Sequence, residues 1–205
     1  MGLFSKDIKS MNDLFMHGLQ DIYYAENQIK KSLPDMAQNA TKAELKTGFE
    51  KHAAETEGQL DRLRQVFEML DAEPKGEKCP AIDGILKEGK ELMGEIDDDD
   101  VMNVGLVAAA QAVEHYEITR YGALIAWAGE LGHRSVIPLL KANLNEEKAT
   151  DQRLTRMAEQ RFNPEAERKS AKPKKAKSSA RRPRKSASRP AKAKRGASKK
   201  SKKRA

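Results

Sequence analysis

Acidic residues are missing altogether from the last stretch of this chain. Residues 168–205 hold 19 of the 39 Lys and Arg, none of the 31 Asp and Glu, and no aromatic residue. Residues 1–167 keep 20 bases against 31 acids, so a net charge of +8 conceals a body of formal charge −11 joined to a stretch of +19. A segment without apolar side chains cannot bury enough surface to fold, and its charge selects polyanions as partners. Having no aromatics, it has nothing to stack on bases, which leaves phosphate neutralisation with counterion release as its mode of contact.

Cysteine is almost absent too. Cys79 stands alone, so no intrachain disulfide forms, and a reducing compartment fits. Nothing near it in sequence supplies an activating base, so it reads as a small core or linker residue rather than a catalytic thiol. No run is apolar and long enough to span a membrane, and the N-terminus lacks a signal-peptide core. Met1-Gly2 opens a myristoylation pattern that Lys6 breaks, where Ser or Thr is required. The expected location is the cytoplasm, with no membrane partner.

β-Branched and aromatic residues are sparse in residues 1–167, whereas Ala, Leu, Met, Glu, Lys and Gln abound, which favours helices in a domain large enough for a real core. Four segments show helical periodicity. The first, Ser10 to Asn39, carries Phe15, Leu19, Ile22, Ile29, Leu33 and Met36 on one face, with a kink expected at Pro34. The second, Thr41 to Leu70 with Thr41 as N-cap, carries Leu45, Phe49, Leu60, Leu63, Phe67 and Leu70. The third, Asp100 to Gly129, carries Val104, Val107, Ile118, Tyr121 and Ile125. The fourth, Arg134 to Arg161, carries Val136, Leu140, Leu144, Leu154 and Met157.

Short turns join the first pair and the second pair, the latter with Gly132 as C-cap. Between the pairs lie residues 71–99, whose Ile82, Ile85, Leu86, Leu92 and Met93 suggest a short extra helix. A link of that length crosses a bundle from end to end, the connection of ferritin-like folds. The run Asp97–Asp100 lacks the spaced ligands and glycine of a calcium loop and reads as a solvated helix start.

Each apolar stripe is interrupted near its middle. Glu26 breaks the first, Glu114 the third, and Glu147 with Asp151 the fourth; His52, Glu55, Thr56 and Gln59 part the halves of the second, with Glu55 at its flank. Glu26 and Glu55 stand about equally far from the first turn, as do Glu114 and Glu147 from the second, so at about 1.5 Å per residue each pair is level to within roughly 3 Å. Buried carboxylates need a cation. Arg120 or Lys148 offers one; two oxygen-ligated metal ions do it more completely; alternatively several of the acids turn to the rim and pair with Lys or Arg.

The run Ala109-Ala110-Gln111-Ala112-Val113-Glu114-His115-Tyr116-Glu117-Ile118 resembles the third helix of YciE/YciF-type ferritin-like proteins, as do Asp21–Gln28, His52–Thr56, Tyr121-Gly122 and Glu146–Asp151 in their places. The resemblance covers nearly all of residues 3–163. It implies an all-α, antiparallel four-helix ferritin-like bundle with a short fifth helix in the long crossover, a homodimer, and a link to bacterial stress responses. The broader ferritin-like pattern sets one Glu on each of two helices and Glu-x-x-His on the other two. By that pattern Glu26, Glu55, Glu114 and Glu147 are ligands, and Glu117 joins them as in rubrerythrin-like members. The histidines are missing: Gly58 and Thr150 stand where they belong. His52, Gln59 and Asp151 are the nearest substitutes. The implied site holds two divalent ions, iron first and manganese as the alternative, since a nearly all-oxygen site suits harder ions.

In composition the stretch from residue 168 resembles linker-histone C-terminal domains. Its candidate DNA contacts are Lys172, Lys174, Lys175, Lys177, Arg181, Arg182, Arg184, Lys185, Arg189, Lys192, Lys194, Arg195, Lys199, Lys200, Lys202, Lys203 and Arg204. Fully extended it reaches on the order of 120 Å. The functional expectation is a stress-response bundle, residues 1–167, that oxidises Fe(II) and is tethered non-specifically to nucleoid DNA by residues 168–205. The alternative is a non-enzymatic nucleoid protein whose dimeric bundle bridges DNA through two tails.

Overall fold

The computed structural model describes residues 8–170; the DNA contacts expected at residues 172–204 lie outside them. Every regular element among the described residues is helical: α1 (Met11–Asn39), α2 (Ala43–Met69), α3 (Pro80–Glu95), α4 (Asp99–Glu130), α5 (Ile137–Met157) and α6 (Asn163–Ser170). A 3₁₀ turn, Arg134–Val136, leads into α5, and a π turn, Ala158–Phe162, links α5 to α6. Arg168 and Lys169, grouped with the basic stretch by charge, belong to α6.

Helix α1 starts at a capping box, in which Ser10 Oγ accepts from Asp13 N and the Asp13 carboxylate accepts from Ser10 N. It runs through Pro34 as one helix. Helix α4 starts where Asp98 Oδ1 accepts from Asp100 N and Val101 N, so the aspartate run is a helix N-terminus. It ends before Gly132, whose φ of 80° turns the chain back. Thr41 does not cap α2. Lys42 holds that position without a side-chain bond, because the Thr41 hydroxyl is spent on Asp99 O and Asn103.

Helices α1, α2, α5 and α4 pack in a ring, each against two neighbours, and α3 lies on α4 and α1. Directions follow from the contacts. Glu26 meets Tyr121 while Thr41 meets Asn103, so α1 and α4 are antiparallel; Arg62 meets Asn143 while Glu44 meets Arg161, so α2 and α5 are antiparallel. The link carrying α3 therefore crosses the bundle so that α4 runs parallel to its diagonal partner α2.

The inner seams alternate steps of three and four. They read Phe15, Leu19, Ile22, Glu26, Ile29, Leu33, Met36 in α1 and Leu45, Phe49, His52, Thr56, Gln59, Leu63, Val66 in α2, all buried. In α4 the seam is Asn103, Val107, Ala110, Glu114, Glu117, Tyr121, Leu124, Ala128; through α5 it is Val136, Leu140, Asn143, Glu147, Thr150, Leu154. Each large apolar member contributes about 1.5–3 kcal/mol by leaving water. Both ends of every seam are mostly apolar and the middle is polar. The expected stripes of the third and fourth segments sit about one position off these lines: Val104, Gln111, Ile118, Ile125, Leu144 and Asp151 are only half-buried.

Asn103, fully buried, holds the α1–α2 turn against α4. Its Oδ1 accepts from Thr41 N and Lys42 N, and its Nδ2 donates to Asp99 O. Replacing Asn103 with Ala strands both turn amides, and at about 1–3 kcal/mol per stranded group the expected loss is on the order of 3 kcal/mol in urea denaturation. A loss below about 0.5 kcal/mol, the scale of ordinary surface changes, would show that the turn does not depend on it.

Candidate metal centre

The polar middles of the four seams meet. One ligand atom each from His52, Glu114, Glu117 and Glu147 lies within 4.8 Å of all the others, and all four residues are buried. Glu114 and Glu117 both face inward because they are one turn apart on the α4 seam. His52 Nε2 lies 3.3 Å from Glu114 Oε1. Gln59 Nε2 donates to Glu147 Oε1 and, at 3.2 Å, to Glu146 Oε2 nearer the surface. Glu26, also fully buried, accepts from the Tyr121 hydroxyl, which in turn accepts from Asn143 Nδ2 at 2.8 Å.

Burial drives the carboxyls of Glu26, Glu114, Glu117 and Glu147 above the ordinary range. Mutual repulsion adds to it: Glu147 acts on the other three, and Glu26 also acts on Glu114 and Glu117. At Glu147 a hydrogen bond shared with Glu114 opposes the burial most, with His52 and the Gln59 bond behind it, without cancelling it. The Tyr121 phenol is raised as well, by burial and then by the charges of Glu26 and Glu117.

These groups are short of partners. Glu26 Oε2, Glu114 Oε2, Glu147 Oε2 and both oxygens of Glu117 find no hydrogen-bond donor among the described residues other than one another, Glu114 facing Glu147 and Glu26 facing Glu117. No Lys or Arg among the described residues forms an ion pair with the four acids. Arg62 pairs with Glu146 and bonds Asn143, Arg153 bonds Glu55 and Thr150, Arg120 lies over the Tyr116 ring at 5.1 Å, and Lys148 is exposed. Neither base considered from the sequence, Arg120 or Lys148, neutralises the centre. Unpaired buried carboxylate oxygens are costly, and oxygen donors converging around one point fit divalent cations of the harder kind.

Two of the seven candidate ligands lie to the side. Glu55 is held by Lys51 at 2.5 Å and Arg153 at 3.1 Å; His52 beside it and these two cations keep its carboxyl down at about 2. Asp151 accepts from Gln111 at 2.9 Å and stands 3.2 Å from His115 Nε2. His115 itself is largely exposed, and Cys79 is buried with its sulfur 3.2 Å from the Tyr116 hydroxyl. Asn143, and Thr150 as a seam residue rather than a missing histidine, carry no signal in the apolar stripe. Stepping back by four and forward by three from Glu147 reaches them.

An antiparallel four-helix bundle with an acid-rich, histidine-containing centre is the class that this geometry defines. Residues 10–167 match the family described as Domain of unknown function (DUF892), and the chain belongs to that family. Protein YciF of Escherichia coli (strain K12) is 40% identical over 165 residues, covering 80% of this chain and 99% of YciF. Among solved structures, YcfI from Rhodopseudomonas palustris is 55% identical with a TM-score of 0.73, over 74% of this chain and 97% of YcfI. That of the E. coli stress protein YciF is 41% identical with a TM-score of 0.71, over 74% and 96% of the two chains. A protein from Xanthomonas campestris pv. campestris, 22% identical, shares the fold at a TM-score of 0.61 over 78% and 99%. No described helix is long and apolar enough to cross a membrane.

A carboxyl whose folded pKa is raised takes up a proton on folding between its unfolded value and the raised one, so stability falls as pH rises through that window. The metal-free protein is therefore expected to melt lower at about pH 8 than at about pH 5.5, and Glu117→Gln, which removes one buried charge, should raise the melting temperature at the higher pH. A Glu117→Gln protein that melts lower than the parent at both pH values would show that the carboxyl stabilises the metal-free fold.

Proposed function

We propose that this bundle is ferritin-like and holds two divalent metal ions, iron in the first place and manganese as the alternative, on Glu26, His52, Glu114, Glu117 and Glu147. The observation that carries this reading is the set of buried carboxylate oxygens that, among the described residues, have neither a donor outside the acids themselves nor a Lys or Arg in an ion pair. The charge also balances: four carboxylates neutralise two divalent ions, and His52 adds a neutral nitrogen. Gln59 fixes Glu147, and the Asn143–Tyr121 pair fixes Glu26, as outer partners orient ligands in metal sites generally. The apolar seam ends above and below keep bulk water from the acids. Iron held there would supply two one-electron oxidations side by side, which with two protons account for the reduction of one hydrogen peroxide to two waters.

In the same reading the basic stretch from residue 168 carries the bundle to duplex DNA through its phosphates, and the bundle acts as a homodimer in a stress response near the nucleoid. The E. coli relative's description as a stress protein supports the physiological setting. A second reading keeps the tail and gives the bundle no metal: a dimer bridging DNA segments, favoured by the +19 charge of the last 38 residues.

Anaerobic loading of the full chain with Mn²⁺ or Fe²⁺, followed by metal analysis, separates the two. The first reading expects about two ions per chain, lost in a Glu114→Gln/Glu147→Gln variant that stays folded, since two clustered ions need the shared carboxylates. No retained metal in the parent overturns it and leaves the bridging protein. For the tail, six to ten engaged cations give a DNA affinity that falls about 10³–10⁵-fold between about 50 and 200 mM salt. An affinity indifferent to salt in a gel-shift titration would rule out phosphate neutralisation.

A further inference from the structure

A pocket of about 20 Å³ lies between α2, α4 and α5, reaching the metal centre from the outside. Its rim is half-buried: Gly48 and Met157, with Arg153 beside them. Its wall is Leu45, Phe49 and Leu154 with Thr150 among them, all buried, and its floor is formed by His52 and Glu114. The space suffices for one molecule of about the size of water.

The lining selects what passes. A hydrated cation finds one side-chain oxygen between rim and floor, the Thr150 hydroxyl already bonded to Arg153, which is no cage, and it meets the Arg153 guanidinium at the rim. Arg153 is itself tied back by Glu55 Oε2 at 3.1 Å and Thr150 Oγ1 at 2.6 Å, so it stands beside the opening in a bonded position. A small apolar molecule meets neither obstacle. Gly48 stands at the rim of the pocket, on α2. Glycine within a helix destabilises it relative to alanine. Packing does not require one at this position, since the nearest atom of another element to a Cβ there would be the Met157 methyl, at 4.0 Å. A Cβ at 48 is therefore accommodated, and a longer side chain there would extend into the mouth of the pocket.

We propose that this pocket is the port by which dioxygen reaches the centre, with Gly48 keeping its mouth open and Leu45, Phe49 and Leu154 excluding ions. The inference rests on the reading of the centre as an iron site, but the passage of dioxygen is testable without metal. Dissolved O₂ is paramagnetic and speeds the relaxation of methyl groups that it approaches. In the metal-free full chain, methyl-labelled, the methyls of Leu45 and Leu154 should relax several-fold faster under O₂ than those of Ile22 and Leu63, which are buried like them. Gly48→Leu should bring Leu45 and Leu154 down to the level of Ile22 and Leu63, with its melting temperature maintained or raised. Uniform O₂ relaxation at all buried methyls, or a Gly48→Leu chain with unchanged relaxation at Leu45 and Leu154, overturns the port.

The loaded protein separates the two ideas. If the port is right, Gly48→Leu retains the parent's metal stoichiometry while aerobic loss of Fe²⁺ slows about tenfold. Undiminished oxidation with the mouth filled defeats the port and leaves the metal centre standing. O₂-dependent relaxation that Gly48→Leu abolishes, in a chain that retains no metal, defeats the iron reading and upholds the port as a passage.

Discussion

Everything central to this bundle turns on the repulsion and dehydration of four carboxylates at its middle. Glu26, Glu114, Glu117 and Glu147 occupy seam positions that in an ordinary bundle belong to Leu or Ile. A sequence optimised for stability would not put them there. The apolar ends of the seams supply the stabilisation that lets the middle be unfavourable, a division between scaffold and site seen wherever function is placed in a core. The Tyr121 hydroxyl, Asn143 and Gln59 give the acids a few directed bonds, and those bonds fix side-chain orientation without cancelling charge. This combination of burial and missing Lys or Arg partners, among the described residues, sets the four acids apart from the ion pairs of the periphery.

The periphery shows the contrasting treatment of charge. Glu55 has Lys51 and Arg153, Glu146 has Arg62, and Asp98 and Asp100 have Lys169, with Lys42 also at Asp100. Counter-cations are plentiful at the rim and absent from ion pairs with the four central acids among the described residues. Half-exposed pairs of this kind stabilise little. Their consequence is to keep Lys and Arg occupied outside the centre, where a buried ammonium would compete with a metal ion for the same oxygens.

How far the sequence reveals this depends on how each helix is surrounded. The α1 stripe is readable residue by residue, because every seam position but Glu26 is apolar. Helix α4 is harder: it packs against α1, α3 and α5, so apolar residues lie on several faces and Val104, Ile118 and Ile125 draw the expected line off the seam. In α5 the seam is polar at Asn143, Glu147 and Thr150, and Leu144 beside it misleads for the same reason. Glu55 and His52 are three residues apart with reversed roles: Glu55 turns to the rim pairs, while the α2 seam carries His52 inward. Only the packed helices settle such one-position rotations, since 100° of turn separates consecutive residues. The hydroxyl of Tyr121 had no signal beyond its place on the apolar stripe.

The central claim is that the buried acids exist to hold cations, and anomalous scattering tests it most directly. Crystals of the full chain grown with Mn²⁺ should show two anomalous peaks per chain, ligated by Glu26, His52, Glu114, Glu117 and Glu147, with Tyr121 still bonded to Glu26. Crystals saturated with Mn²⁺ that show no peak at the centre, and carboxyls paired with one another instead, would contradict the account.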